Sequence, residues 1–267
     1  MLDKATTRVF AGQLDQAEKT RTQLRQFSRA YPEMTIEDGY AIQHEWVKLK
    51  LAEGAVIKGR KIGLTSRAMQ RSSQVDEPDY APLLDTFFFE VGRPLPIERF
   101  IKPRVEVELA FILSKDLAGP GVSVFDVLDA TAYVTPALEI IDARIEQYDR
   151  DSHAPRKVFD TISDFAACAG VVLGGRPVRP LDLDLRWVGA LLYQNGVLER
   201  SGLAAAVLDH PARGVAWLAN KIAPYRESLK ARDVILAGSF TSPVEAHAGD
   251  SLHVDYGRLG GIAIKFE

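Results

Sequence analysis

The chain has 267 residues, of which 46% are hydrophobic and 26% are charged, the composition of an ordinary globular protein. This excludes a disordered chain, a fibrous repeat and a disulfide-stapled miniprotein, and the length suits one large domain or two modest ones. The 33 Lys and Arg residues against 36 Asp and Glu give a formal charge of -3. No overall positive field would therefore attract nucleic acid or an anionic membrane.

The single cysteine, Cys168, excludes an intrachain disulfide and a Cys-based zinc site, and it fits a reducing compartment. The N-terminus has no apolar region or cleavage motif typical of a secretory signal. No apolar stretch approaches the roughly 20 residues needed to span a bilayer. We therefore expect a cytoplasmic protein without a membrane partner.

The N-terminal part is predicted to be helical. Residues 3–29 are rich in good helix formers and contain no proline, and Pro32 interrupts that pattern. Thr35, followed three residues later by Asp38, predicts a capping box that opens a second helix, which Gly54 ends. We interpret this part as a packing or subunit-contact region.

From about residue 57 the sequence becomes β-rich. Strand patterns occupy Arg104–Leu113 and the run ending at Leu173, while Asn195-Gly196 predicts a hairpin turn. Residues 252–266 predict a closing hairpin, and two helices are expected at about 124–132 and from Pro211. With no Pro/Gly/Ser-rich linker, we predict an α+β fold in one compact unit, with an N-terminal helical region (residues 1–80) and a β-rich catalytic region (residues 81–267).

The sharpest chemical feature is the pair Glu106 and Glu108 in the strand pattern. Residues two apart in a strand point to the same face, so both carboxylates face one spot while Val105, Val107 and Leu109 face the other way. They are either solvated on an open sheet face or ligands of a hard divalent cation such as Mg²⁺ or Mn²⁺. A third acid would come from elsewhere: Glu139 is a candidate and Asp142 is its competitor.

Other motifs are weaker. Lys61 stands between two glycines, which is typical of a surface turn, and Asp79 follows Pro78 in what reads as another turn. None of the five histidines has HxxxH or HExxH spacing, and the sequence has no GxSxG, P-loop or GxGxxG motif. These absences remove the common hydrolase, zinc and nucleotide sites.

Five segments occur in a recognisable order: Lys61–Gln70, Glu77–Tyr80, Arg104–Phe111, Pro136–Asp142 and Gly238–Pro243. With them, the chain resembles the 2-oxo-acid hydratase and decarboxylase branch of the fumarylacetoacetate hydrolase superfamily over nearly its whole length. Segments outside the site, such as 35–38, 72–79 and 156–164, favour the members that act on 2-oxo-hept-4-ene-1,7-dioate.

The resemblance implies the β-rich roll or sandwich of that family and a specific set of site residues. Three carboxylates, Glu106, Glu108 and Glu139, would hold Mg²⁺ or Mn²⁺. Lys61 would be the acid/base group, with Asp79 in the same pocket. The substrate-binding residues would be Gln70, Arg156 and Lys157. One position departs from the family pattern: relatives commonly carry Asn where this chain has Phe165, which bears on substrate preference.

The implied activity is addition of water to 2-oxo-hept-4-ene-1,7-dioate, giving 4-hydroxy-2-oxo-heptane-1,7-dioate in the degradation of the aromatic compound homoprotocatechuate. The alternatives are a 2-oxo-4-pentenoate hydratase, a 4-oxalocrotonate-type decarboxylase, a C–C hydrolase that would need a His–Glu pair, and a non-catalytic binding protein on the same fold. A homo-oligomer larger than a dimer, with pentamers as building blocks, is also implied.

Two expectations concern charge. Burial and a nearby cation should lower the pKa of Lys61 toward neutrality so that it can shuttle a proton. The second carboxylate of a heptenedioate needs a basic partner or an open, wet mouth, because an unpaired buried charge costs several kcal/mol. Arg67, Arg71, Arg156 and Lys157 are the candidates for that partner.

Overall fold

The computed structural model describes residues 1–267 and confirms an α+β fold with seven α-helices and twelve strands. The helices are α1 (Lys4–Thr20), α2 (Phe27–Ala30), α3 (Ile36–Ala52), α4 (Arg67–Ser72), α5 (Val124–Ala130), α6 (Val158–Ser163) and α7 (Pro211–Ile222). The strands are β1 (Ile57–Gly63), β2 (Asp79–Leu84), β3 (Phe88–Phe89), β4 (Arg104–Leu113), β5 (Thr131–Ile141), β6 (Cys168–Leu173), β7 (Gly189–Gln194), β8 (Val197–Leu203), β9 (Val234–Leu236), β10 (Val244–Glu245), β11 (Ser251–Asp255) and β12 (Gly261–Lys265). None of the helices combines the length and apolar character needed to cross a bilayer.

The strands form two sheets. The larger sheet has eight strands in the order β2-β1-β9-β4-β5-β6-β3, with β10 pairing to β4, and the smaller has the order β12-β11-β7-β8. The predicted hairpins are confirmed: Asn195 and Gly196 have φ of +52° and +82°, the left-handed conformations of a two-residue turn. β11 and β12 form the closing hairpin.

The two faces of β4 explain where a site can lie. Val105, Val107 and Leu109 pack into a cluster of 44 buried residues that also contains the inner face of the small sheet. Ala110, on the opposite face, belongs to a second cluster of 20 residues shared with α1 and α3. The face that carries Glu106 and Glu108 is therefore the one that the N-terminal helices cover.

The N-terminal helix is shorter than predicted. The sequence indicated helix as far as residue 29, but α1 ends at Thr20, where Arg21 adopts a left-handed φ of +52°. Beyond it Leu24 pairs with the backbone around Ile145. The Leu24 N–H donates to the Arg144 carbonyl at 2.8 Å, and the Leu24 carbonyl accepts from the Glu146 N–H at 2.9 Å. This long-range pairing overrides the local helix propensity.

The start of α3 is as predicted, because Thr35 and Asp38 form a capping box. The proposed division at residue 80 stays a prediction. Strand β1, which precedes it, pairs with β2 and β9 in the large sheet.

Candidate metal centre and active site

Three glutamates converge on the covered face of the large sheet. β4 carries Glu106 and Glu108, and the antiparallel register places Glu139 of β5 directly opposite Glu106. One oxygen from each carboxylate lies within 4.8 Å of the others. Oxygen ligands at this separation are the donor set that hard divalent cations take in proteins.

Asp142, the competing third acid, has a different role. Its two carboxylate oxygens accept hydrogen bonds from the backbone N–H groups of Ile101 and Lys102, at 2.8 and 2.7 Å. Both oxygens are therefore engaged in holding the chain that leads into β4.

The glutamates carry more negative charge than the chain neutralises. Glu139 is fully buried, and neither of its oxygens has a hydrogen-bond partner. Glu108 accepts one bond, from the Gly238 N–H at 2.8 Å, and Lys61 Nζ lies 3.2 Å from Glu139 Oε1. Since uncompensated buried charge costs several kcal/mol, the hard oxygen donors and the orphaned Glu139 oxygens fit a divalent cation.

The crowding of the three glutamates shifts the pKa values of the site residues. Burial, and next the charge of Glu139, raise the pKa of Glu106 to about 7, and the same two causes raise the pKa of Glu108. Burial lowers the pKa of Lys61, but Glu139, Asp79 and Glu106 outweigh it, so this pKa lies above its ordinary value. Within the chain the three carboxylates therefore reverse the expected lowering by burial, while the predicted effect of a nearby cation on the pKa of Lys61 stays a prediction.

Lys61 and Asp79 lie on paired strands, so the surface-turn interpretation of Lys61 is wrong. Gly63 is opposite Asp79 in the register of β1 and β2. A Cβ on Gly63 would lie 2.2 Å from Asp79 Oδ1 and 3.2 Å from Lys61 Nζ. The glycine is therefore required by this close approach. Asp79 Oδ1 is buried without a hydrogen-bond partner, and burial raises the pKa of Asp79 although Lys61 lowers it.

A strained segment completes the surroundings of Lys61. Phe165, Ala166 and Ala167 have φ of +49°, +48° and +64°, a conformation that costs non-glycine residues about 1–3 kcal/mol each. The carbonyl oxygen of Ala166 accepts a hydrogen bond from Lys61 Nζ at 3.0 Å. The strain thus orients a backbone acceptor toward the amine.

Buried contacts hold this segment in place. Arg144 donates to Asp164 from Nε at 2.6 Å and to the Cys168 carbonyl from Nη1 at 2.9 Å. The Phe165 ring stacks on Trp46 of α3, with centroids 4.0 Å apart. Phe165 is fully buried and does not line the cavity, so its side chain packs against α3, and its effect on substrate preference stays a prediction.

The site opens into a cavity of about 270 Å³. The predicted site residues that line it are Lys61, Asp79, Glu106, Arg156 and Lys157. No histidine is among the lining residues. A hydrolase mechanism with a His–Glu pair therefore has no histidine to use here.

Three predicted or candidate binding residues lie away from the cavity wall. The Gln70 side chain donates to the Leu64 carbonyl at 2.9 Å, and Gln70, Arg67 and Arg71 are absent from the lining. The structure thus gives Gln70 a local contact between α4 and the segment that precedes it, and its role toward substrate stays a prediction.

Sequence reasoning missed Arg104, which lines the cavity. It stands two residues before Glu106 in β4, so it shares the face of the two glutamates. The period-two spacing that pointed to the glutamate pair would also have found it.

The chain belongs to the fumarylacetoacetate hydrolase family. The family model described as "Fumarylacetoacetate (FAA) hydrolase C-terminal" matches residues 61–266, a range that contains the three glutamates, Lys61 and Asp79.

Two curated relatives and one solved structure match over the full length. The chain is 61% identical over 266 residues to 2-oxo-hept-4-ene-1,7-dioate hydratase of Escherichia coli, covering 100% of both chains. It is 38% identical to 2-hydroxyhexa-2,4-dienoate hydratase of Comamonas testosteroni, covering 100% of this chain and 99% of that one. The structure of 4-oxalocrotonate decarboxylase from Pseudomonas putida G7, complexed with magnesium and adipate, superposes with a TM-score of 0.95 at 32% identity, covering 100% and 99% of the two chains.

Proposed function

We propose that this protein is a hydro-lyase of aromatic catabolism that adds water to 2-oxo-hept-4-ene-1,7-dioate and yields 4-hydroxy-2-oxo-heptane-1,7-dioate. The observation that carries the proposal is the convergence of Glu106, Glu108 and Glu139 beside Lys61, where Glu106 and Lys61 line the cavity. The 61% identity to a hydratase of that substrate over the whole chain supports the choice of reaction and substrate.

The cation is proposed to be Mg²⁺ or Mn²⁺, held by the three glutamates. Their donors are all carboxylate oxygens, which suit these hard ions better than zinc. When bound, the ion supplies Lewis acidity toward the vicinal carboxylate and keto oxygens of a 2-oxo acid. Magnesium is also the ion in the related decarboxylase structure.

Lys61 and Asp79 are proposed to handle the protons. Hydration of a 2-oxo-4-enoate requires loss of a proton at C3 and its return at C5, which brings the double bond into conjugation, before water adds at C4. Lys61 Nζ donates a hydrogen bond to the Ala166 carbonyl at 3.0 Å, and we propose that this held amine delivers the proton. Asp79 Oδ1 is a buried acceptor without a partner, so it is placed to accept one or to orient the water.

The test is a product analysis with metal control. Chelator-treated protein should be inactive with 2-oxo-hept-4-ene-1,7-dioate, and Mg²⁺ or Mn²⁺ should restore conversion to a product heavier by one water. Glu106→Gln should lose this response, whereas Lys102→Gln, which removes an exposed charge outside the cavity, should keep it. Full activity after thorough chelation would overturn the metal assignment.

A second candidate function is decarboxylation of a 4-oxalocrotonate-type acid. It is favoured by the TM-score of 0.95 to a decarboxylase of that substrate. The same mass measurement separates the two reactions, since a decarboxylase would yield a product lighter by carbon dioxide. If the metal binds but no 2-oxo-enoate is converted, the non-catalytic alternative is left.

We also propose a cytoplasmic homo-oligomer larger than a dimer, with pentamers as units. Support comes from the small sheet, where a groove of about 820 Å³ runs beside β7 and β8. Three of the side chains that line it, Trp187, Leu203 and Leu191, are 70%, 43% and 37% exposed. Exposed apolar clusters of this kind are typical of protein contacts. A monomeric mass in light scattering at micromolar concentration would contradict the proposal.

A further inference from the structure

We propose that Arg104 binds the second carboxylate of the substrate and so selects a dicarboxylate over a monocarboxylate. This inference rests on the proposed function, because it takes a chelating 2-oxo acid at the glutamate centre as given. It concerns the opposite end of that substrate.

The position of Arg104 on β4 suits that role. Arg104 and Glu106 face the same side, and two residues of strand span about 7 Å at 3.3–3.4 Å per residue. Ile141, opposite Arg104 on β5, also lines the cavity. A ligand held at Glu106 and extending along this face therefore reaches Arg104 after a few carbon–carbon bonds, which is where a heptenedioate carries its second charge.

The Arg104 side chain has no partner of its own. No carboxylate oxygen of the chain lies within the 4.0 Å ion-pair distance of its guanidinium, and it donates no hydrogen bond. The acid opposite it on β10, Glu245, is exposed and makes no ion pair with it. A partly buried guanidinium with all its donors available offers the planar fork that binds a carboxylate through two hydrogen bonds.

The neighbouring cations are less suited to this task. Arg156 is already engaged, since its Nη1 donates to the Ile145 carbonyl at 3.3 Å and lies 3.6 Å from Asp164 Oδ2. Lys157 is exposed and presents an ammonium, which lacks the bidentate fork. Arg156 and Lys157 both add positive charge to the cavity wall. Of the two guanidinium groups on that wall, Arg104 is the one without an ion pair.

The experiment measures preference as a ratio. The ratio compares kcat/KM for 2-oxo-hept-4-ene-1,7-dioate with kcat/KM for 2-oxo-hept-4-enoate, in which a methyl group replaces the second carboxylate. It is measured in wild type, Arg104→Gln and Arg104→Lys. Any change in cation affinity caused by removing a charge near Glu106 acts on both substrates and cancels in the ratio. Lys102→Gln and Glu245→Gln are the matched controls.

We expect Arg104→Gln to lower the ratio about ten- to hundredfold, the worth of a charge-assisted hydrogen-bonded pair. Arg104→Lys should fall between it and wild type, and both controls should keep the wild-type ratio. If Arg104→Gln fails to fold in thermal melts, Arg104→Lys carries the test. An unchanged ratio in the variant that folds would overturn the inference, as would a loss of preference in Arg156→Gln alone.

A binding measurement separates this result from the proposed function. Calorimetry of the Mg²⁺-loaded protein with saturated 2-oxoheptanedioate and 2-oxoheptanoate reports the same preference without any turnover. A wild type that binds the dicarboxylate more tightly but hydrates neither enoate would refute the hydratase function. In that case a tenfold or larger fall of the binding preference in Arg104→Gln supports the inference, and an unchanged preference overturns it. A wild type that hydrates both enoates equally would keep a general hydratase and refute the dicarboxylate site.

Discussion

Substituting Gly63 with alanine tests whether the close approach of β1 and β2 sets the geometry of the active site. The backbone of Gly63 has no left-handed φ, so alanine meets no conformational penalty there and only space matters. The new Cβ would lie 2.2 Å from Asp79 Oδ1. Real Cβ contacts essentially never fall below 3.0 Å, so the carboxylate must move by at least about 0.8 Å.

Two magnitudes follow from that displacement. Inserting a methyl group into a packed interior costs about 1–3 kcal/mol, which corresponds to a fall in Tm of several degrees. Misplacing a reacting group by about 1 Å costs roughly a hundredfold in rate. We therefore expect the loss of kcat/KM to exceed what partial unfolding explains, because the displaced atoms belong to Asp79 and its neighbour Lys61.

The assay pairs a thermal melt with kcat/KM for the proposed substrate at saturating Mg²⁺. The matched control is Gly189→Ala, at a strand glycine on the small sheet whose Cβ would meet its nearest atom at an ordinary 3.4 Å. Gly63→Ala with the activity of the control would refute the argument, since it would mean that the position of Asp79 is not critical.

Three further outcomes are expected. Glu106→Gln should weaken Mg²⁺ binding in calorimetry, while the Tm of the metal-free protein holds or rises because one of several repelling carboxylates is removed; a large fall in that Tm would mark a structural acid instead. Arg144→Met leaves Asp164 buried without its main partner and should lower the free energy of unfolding by about 3–5 kcal/mol in urea, a loss that adding Asp164→Asn should partly restore. Hydrogen bonds, first the one from the backbone N–H of Ser152, hold the pKa of Asp149 well below its usual range. The Asp149 carboxylate therefore stabilises the fold at pH values above the pKa of the unfolded chain, about 3.9. This stabilisation is lost as the pH falls below that value. The Tm difference between wild type and Asp149→Asn should accordingly shrink from pH 7 to pH 3, and an equal difference at both would contradict the assignment.

Local features of the sequence were sufficient for much of the fold and for part of the site. The capping box at Thr35 and Asp38 and the Asn195-Gly196 turn depend on backbone preferences within a few residues, so their sequence patterns predict them directly. The shared face of Glu106 and Glu108 follows in the same way from the two-residue period of a strand. These features require no knowledge of what packs against them.

The tertiary structure decided what depends on residues distant in sequence. The sequence pattern named Glu139 as the candidate for the third acid but left Asp142 as its competitor. The register of β4 with β5 places Glu139 at the metal centre, while Asp142 accepts hydrogen bonds from backbone N–H groups. The glycines beside Lys61 predicted a surface turn, but Lys61 lies in β1, which pairs with β2 and β9.

Residues distant in sequence also decide where the first helix ends and how the pKa values of the site are shifted. The first helix stops at Thr20 because Leu24 finds a backbone partner more than a hundred positions away, in Ile145. The pKa of Lys61 rises because folding gathers Glu139, Asp79 and Glu106 around one buried amine. Coulomb energies depend on distances between atoms in a medium from which water is excluded, and only the folded chain sets those distances.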